Sequence, residues 1–234
     1  MMTSIRRATT SLLLVATLGL GGQAAAQAPS PTAAQVTDKI QAFYLSLEDF
    51  QSRFTQIYTD VAADEEKRFS GKVFFKKPGK MRWDYLTQKD NKPALQKVLV
   101  SNGAEFTIYE AEYDQYFRQC LKDSQLPTAL RFLMGTGDLK ADFDIKLLPT
   151  APEGSLRLEL TPKKSAGQYK RLEFVVDAKD YSVRETVVYD PYGNTNRVRF
   201  EAPVLNKQLP DAGFDFSPPV GTRALGGEKE LNCQ

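Results

Sequence analysis

Two cysteines, Cys120 and Cys233, and no histidine bound the chemistry open to this chain of 234 residues. Without histidine there is no Ser-His or Cys-His nucleophile, no His-ligated zinc, and no general base of the commonest kind near neutral pH. Two cysteines are too few for a zinc ribbon or an iron–sulfur cluster. Carboxylate chemistry remains, with Asp142 and Asp144 on one strand parity and Glu173 as candidates, although the same residues also read as a solvated strand face. No glycine-rich phosphate loop, nucleophile elbow or metal-ligand spacing occurs, so neither a metal nor a cofactor is expected. Binding is the better-supplied alternative, since the chain holds 14 Phe, 10 Tyr and 1 Trp.

The start of the chain decides its compartment. Arg6-Arg7, an apolar run from Leu12 to Leu20 and Ala24-Ala25-Ala26 follow one another as a secretory signal ending in an A-x-A cleavage pattern. The apolar run is too short to span a bilayer, which takes about 20 residues. No cysteine near the cleavage site offers a lipid anchor. Removing residues 1–26 takes away two arginines and no acid, so 31 basic side chains become 29, against 29 acidic ones. The precursor's net charge of +2 thus belongs to its signal, and no basic balance remains for nucleic acid or an anionic surface. Export to an oxidising compartment also predicts that Cys120 and Cys233 pair, the alternatives being two free thiols or a crosslink between chains.

The remaining pattern gives the elements that must position any site. Val36, Ile40, Phe43, Tyr44 and Leu47 form one stripe of an amphipathic helix over about residues 33–47, with Thr32 as N-cap. The period then falls to two. Val73 and Phe75, Met81 and Trp83, Phe106 and Ile108, Leu156 to Leu160 and Leu172 to Val176 alternate with charged residues, as half-buried strands do. With weaker strands near 51–61, 95–101, 113–120 and 183–189, the total is about ten or eleven. Leu126, Leu130, Leu133 and Met134 mark a second, short helix. The expected fold is mainly β: one antiparallel domain with two or three helices, either a strongly curved sheet or an incomplete barrel. The expected layout is a signal at 1–26, a loose start at 27–32, the domain at 33–223 and a tail at 224–234. The strands are short and their second face is charged, unlike those of an outer-membrane barrel.

Shared parity places Val73, Phe75, Met81, Trp83, Phe106 and Ile108 on one side of the sheet, under a helix carrying Leu130, Leu133 and Met134. This reads either as an ordinary core or as the lining of an apolar cavity whose lid is helical. Lys77 has the same parity as Val73 and Phe75. An inward lysine must reach water at a rim or a partner on the lid.

The run Ser70-Gly71-Lys72-Val73-Phe74-Phe75-Lys76-Lys77-Pro78-Gly79-Lys80-Met81-Arg82-Trp83-Asp84-Tyr85 resembles the signature hairpin of the LolA family of outer-membrane lipoprotein carriers. Leu99-Val100-Ser101-Asn102-Gly103 with Ile108-Tyr109, Leu158 to Lys163, and Phe214-Asp215-Phe216-Ser217-Pro218-Pro219 resemble later parts of the family pattern. The likeness covers about residues 33–223. It implies a monomeric periplasmic carrier in an unclosed barrel with a helical lid. It also implies three partners: lipoproteins bound through their acyl chains, an inner-membrane ABC complex that releases them, and an outer-membrane acceptor. Three features depart from the pattern. Lys77 stands where many members have arginine, residues 87–97 look like a lengthened connection, and the tail after Gly221 carries Cys233.

Two other readings remain open on sequence grounds. One is a lipid- or lipoprotein-sensing regulatory domain on the same fold, the other a secreted carboxylate-dependent enzyme. N-terminal sequencing of exported protein is expected to begin at Gln27, and a retained apolar segment or tight membrane attachment would overturn the signal assignment.

Overall fold

In the computed structural model, residues 30–124, 132, 137–164, 167, 169–226 and 231–233 are described. The signal segment, Gln27, and Leu126, Leu130, Leu133 and Met134 lie outside them. The first element is helix α1 (Ala33–Ser46), opened by a reciprocal cap in which the Thr32 side chain accepts from the Gln35 N–H and Gln35 accepts from the Thr32 N–H. Its buried positions Val36, Ile40 and Tyr44 recur every four residues, so all three meet the sheet on one face.

The strands are β1 (Asp49–Asp60), β2 (Glu65–Lys76), β3 (Lys80–Lys89), β4 (Lys92–Asn102), β5 (Glu105–Glu110) and β6 (Gln115–Cys120). After a short helix α2 (Leu139–Asp142) come β7 (Phe143–Leu148), β8 (Ser155–Pro162), β9 (Arg171–Asp177), β10 (Val183–Tyr189), β11 (Thr195–Leu205) and β12 (Arg223–Ala224). They form one 12-stranded sheet in the order β12-β6-β5-β4-β3-β2-β1-β11-β10-β9-β8-β7. Every pairing is antiparallel except β12 on β6. The edge strands β7 and β12 do not pair with each other, so the sheet does not close. Two-residue β12 is one strand beyond the ten or eleven anticipated, because so short a bridge leaves no alternation to read.

The supposed connection at 87–97 is instead a hairpin. β3 and β4 run to a two-residue turn at Asp90-Asn91, where both residues take positive φ, as the tightest hairpin loops require. Polar side chains such as Thr87, Gln88 and Lys89 hide these strands from a hydrophobicity reading.

The sheet is sharply curved. Trp83 on β3 and Phe200 on β11 stand three strand spacings apart, about 14 Å in a flat sheet, yet their rings are 6.2 Å apart. Gly71 permits this bend. A Cβ at that position would lie 1.9 Å from the Asp84 carbonyl oxygen and 2.9 Å from the Phe54 ring. Any side chain would therefore force β2 away from β3.

Curvature separates an inner from an outer face. The inner face carries one apolar cluster that includes Phe50, Phe54, Val73, Met81, Trp83, Leu158, Leu172 and Phe174. The outer face is covered in two ways. On β8 to β11, Arg157 and Arg171 bind the buried Glu173, and Arg197 and Arg199 bind the buried Glu185 at 2.7 and 3.0 Å. On β2 to β6, the segment after β11 crosses as a strap. Asp49 anchors it by accepting from the Lys207 and Leu209 N–H groups, and Asp211 pairs with Lys76 and Lys80. Phe216 then packs on Val98, Val100 and Tyr109.

The strap ends by pairing β12 with the edge of β6, and Cys233 forms a disulfide with Cys120, their Cα atoms 5.2 Å apart. Denatured, unreduced protein is expected to show no free thiol. Reduction should lower the unfolding free energy by roughly 2–4 kcal/mol, read from the denaturant midpoint. Two thiols per chain would remove the crosslink.

Candidate functional site

Period-two alternation on β2, β3 and β5 turns Val73, Phe75, Met81, Trp83 and Phe106 to the inner face, where all five are buried in the main cluster; Ile108 packs against it half-buried. The interior is rich in aromatic edges. Trp83 meets Phe54 at 4.8 Å and Phe75 at 5.9 Å, and Phe50 meets Phe75 and Phe200 at 5.9 Å each. The indole N–H of Trp83 is buried and has no hydrogen-bond partner among the described residues. Leu130, Leu133 and Met134, expected on the lid, lie outside the described residues.

Helix α1 buries Val36, Ile40 and Tyr44 in the same cluster and, among the described residues, is tied to its surroundings by few polar contacts. At its C-terminal end, Lys77 Nζ donates to the carbonyl oxygens of Tyr44 (2.7 Å) and Leu45 (2.9 Å). Of the two options that strand parity leaves for Lys77, water at a rim or a partner on a helix, its ammonium has a partner in the last carbonyls of α1. A cation there meets the negative end of the helix dipole and carbonyls of the last turn, of which that of Tyr44 also accepts from the Leu47 N–H at 3.4 Å. Desolvation pushes the Lys77 ammonium below the usual lysine range, opposed by the nearby Glu48 carboxylate.

Two further contacts hold the same helix. The Tyr44 hydroxyl accepts from the Val183 N–H at 3.1 Å, and burial pushes this phenol well above its ordinary range. Gln41 donates to the Gly137 carbonyl (3.2 Å) and accepts from the Leu139 N–H (3.3 Å). Asp38 and Lys140 form an exposed ion pair beside them.

Phe132 is an inner residue that the sequence reading missed. It is fully buried, edge-on to Tyr44 at 4.9 Å and stacked near Phe174 at 6.5 Å. It lies off the stripe defined by Leu126, Leu130 and Leu133. Its backbone passes close to Gly137, where an added Cβ would come within 3.0 Å of the Phe132 nitrogen.

The carboxylates do not form a site. Asp138 accepts from the Lys140 and Ala141 N–H groups and caps a helical turn, so Asp142 ends α2 instead of sharing β7 with Asp144. Asp144 is exposed, and Glu173 is engaged by Arg157 and Arg171. Among the described residues no cluster of His, Cys, Asp and Glu could hold a metal ion.

Comparison with known proteins agrees with this geometry. The family model "Outer membrane lipoprotein carrier protein LolA" matches residues 46–217. An outer-membrane lipoprotein carrier protein of Cupriavidus pinatubonensis is 31% identical over 83% of this chain and 90% of its own length. One of Chromobacterium violaceum is 27% identical over 87% and 94%. A solved structure of an uncharacterized conserved protein from Thermus thermophilus shares the fold, with a TM-score of 0.52 at 13% identity over 82% of this chain and 98% of that one. A match over most of the sheet, with its apolar inner face and covering helix, places the chain in the LolA family of outer-membrane lipoprotein carrier proteins.

Proposed function

We propose that the protein carries outer-membrane-directed lipoproteins through the periplasm, with their acyl chains in the interior beneath α1. It would take them from an inner-membrane ABC release complex and pass them to an outer-membrane acceptor. Members of its family are non-enzymatic transport proteins, consistent with side chains that bind and do no bond chemistry. One observation carries the reading: the apolar face of a large open sheet is covered, among the described residues, chiefly by one 14-residue helix held through three side chains and a surface ion pair. A second sheet would make a permanent core. A single tethered helix can lift away and let acyl chains replace its contacts.

The energetic need is simple. Each buried CH₂ is worth about 0.8 kcal/mol, so the acyl chains of a lipoprotein cannot cross water uncovered. The inner face offers Val73, Phe75, Met81, Trp83, Phe106 and Ile108 as replacement surroundings. The unpartnered Trp83 N–H offers a donor to a carbonyl of the acylated end. Leu130, Leu133 and Met134 complete the proposed lining from the segment before Gly137.

Lys77 acts in this reading as the latch on α1. Lys77→Leu removes a charged cap worth on the order of 1 kcal/mol, about a five-fold shift toward the lifted helix. Lys77→Arg supplies a planar fork of donors and should favour the closed state, slowing uptake or release. Lipoprotein transfer assays read both effects, and parental rates in both variants would reduce Lys77 to a rim lysine.

Titration with a synthetic triacylated lipopeptide tests the interior directly. Trp83 is the only tryptophan, and saturable quenching or a shift of its emission is expected. No response to any lipopeptide would count against acyl binding at this face.

A further inference from the structure

The sheet forks. β2 pairs with β3 only from Ser70–Leu86 to Lys76–Lys80. Beyond that point Glu65 to Phe69 pair with β1 alone, and Thr87 to Lys89 with β4 alone. The fork opens where the β3–β4 register slips between Tyr85 and Leu86, so that Gln96 has no opposite residue on β3, while its carbonyl accepts from the Ala111 N–H at 2.9 Å. Just below it, Gly71 presses β2 against Asp84. The facing edges of the two hairpins therefore present main-chain groups with no ladder partner, as a sheet edge that accepts an added strand does.

Two cavities adjoin at this fork. One, of about 480 Å³, is lined by the outer-face residues Arg68, Ser70, Arg197 and Arg199 together with Thr87. The other, of about 230 Å³, includes Tyr85, Lys97, Glu110 and Tyr113. Gln56, Phe69 and Gln96 line both. From here a row of rings leads to the interior: Phe69 to Tyr85 at 6.1 Å, Tyr85 to Phe54 at 5.0 Å, and Phe54 to Trp83 at 4.8 Å.

The chemistry of the fork suits a polypeptide. Gln56 donates to Asn196 at 2.8 Å, while its buried Oε1 has no donor among the described residues. Outside, Arg197 and Arg199 share one carboxylate, Glu185, and Arg68 pairs with Glu66. Three guanidinium groups thus face two carboxylates, leaving one positive charge at the outer mouth.

We propose that this fork is the slot through which the polypeptide of a bound lipoprotein leaves the interior, an inference that rests on the carrier reading above. The extended segment following the acylated residue runs between the hairpins. Gln56 and Gln96 bond its main chain, and an acidic side chain seats on Arg197 and Arg199.

The test uses the mature protein and three probes: palmitate and two triacylated lipopeptides with eight-residue tails, one acidic and one basic near the acylated end. At low salt the acidic tail should bind about ten-fold more tightly than the basic one, a preference that falls toward unity in R197Q/R199Q. Removing two arginines can unsettle Glu185, so a photo-crosslinking residue is also placed separately at Thr87 in the fork and at Asp144 on β7. Attachment of the lipopeptide tail at Thr87 and not at Asp144 supports the slot. Equal tail affinities, or crosslinking at Asp144 alone, overturn it while palmitate binding leaves the carrier reading standing. If none of the three probes binds, the carrier reading and the slot fall together.

Discussion

The burial of α1 against the inner face of the sheet is the contact on which the rest depends. Val36 and Ile40 are 0% exposed and Tyr44 4%, and full burial of such apolar side chains is worth about 1.5–3 kcal/mol each. That is enough to keep the helix seated in water, and in the proposed carrier role it is small enough to be exchanged for acyl chains of comparable apolar area. In that proposed role the small number of polar ties among the described residues keeps the cover from being a fixed wall. Lys77, Tyr44 and Gln41 each reach a main-chain group, so they orient the helix without demanding a particular side chain opposite.

If one face of a sheet is to remain available, the other face and the edges must supply stability. The outer face does so with two different devices. Buried Glu173 and Glu185, each held by two arginines, cross-brace β8 to β11. Over β2 to β6 the strap from Asn206 onward buries Phe214 and packs Phe216, then protects the β6 edge with β12 and the Cys120–Cys233 bond. An edge of unpaired main-chain groups is a site for unwanted pairing, and covering it keeps the carrier from adding strands there. The fork between β2 and β3 is a second place where such groups stand free, set beside the aromatic interior.

The absence of histidine and the scarcity of cysteine fit this division of labour. The apolar inner face supplies the binding surface of the proposed carrier, and charged residues such as Glu173 and Glu185 brace the outer face. Glu173, a plausible acid from its residue type alone, serves as a brace because Arg157 and Arg171 neighbour it across strands.

Much of this was decided locally. Period-two alternation placed Val73, Phe75, Met81, Trp83 and Phe106 on one face, since a strand's side chains alternate whatever it pairs with. The stripe of α1, its Thr32 cap and the strand character of the later segments were likewise set by neighbours a few residues away. Composition excluded the histidine chemistries, and the hairpin motif from Ser70 to Tyr85 pointed to the family. Tertiary structure alone decided the rest. Polar strands at the β3–β4 tip carry no hydrophobic period, so their hairpin emerged only from pairing. Phe132 is inward with its backbone close to Gly137, a relation between backbones that no periodicity encodes. Lys77 became a helix cap, and Glu173 a brace, because chain segments far apart in sequence meet there, and the energy of a charge depends on what surrounds it in space.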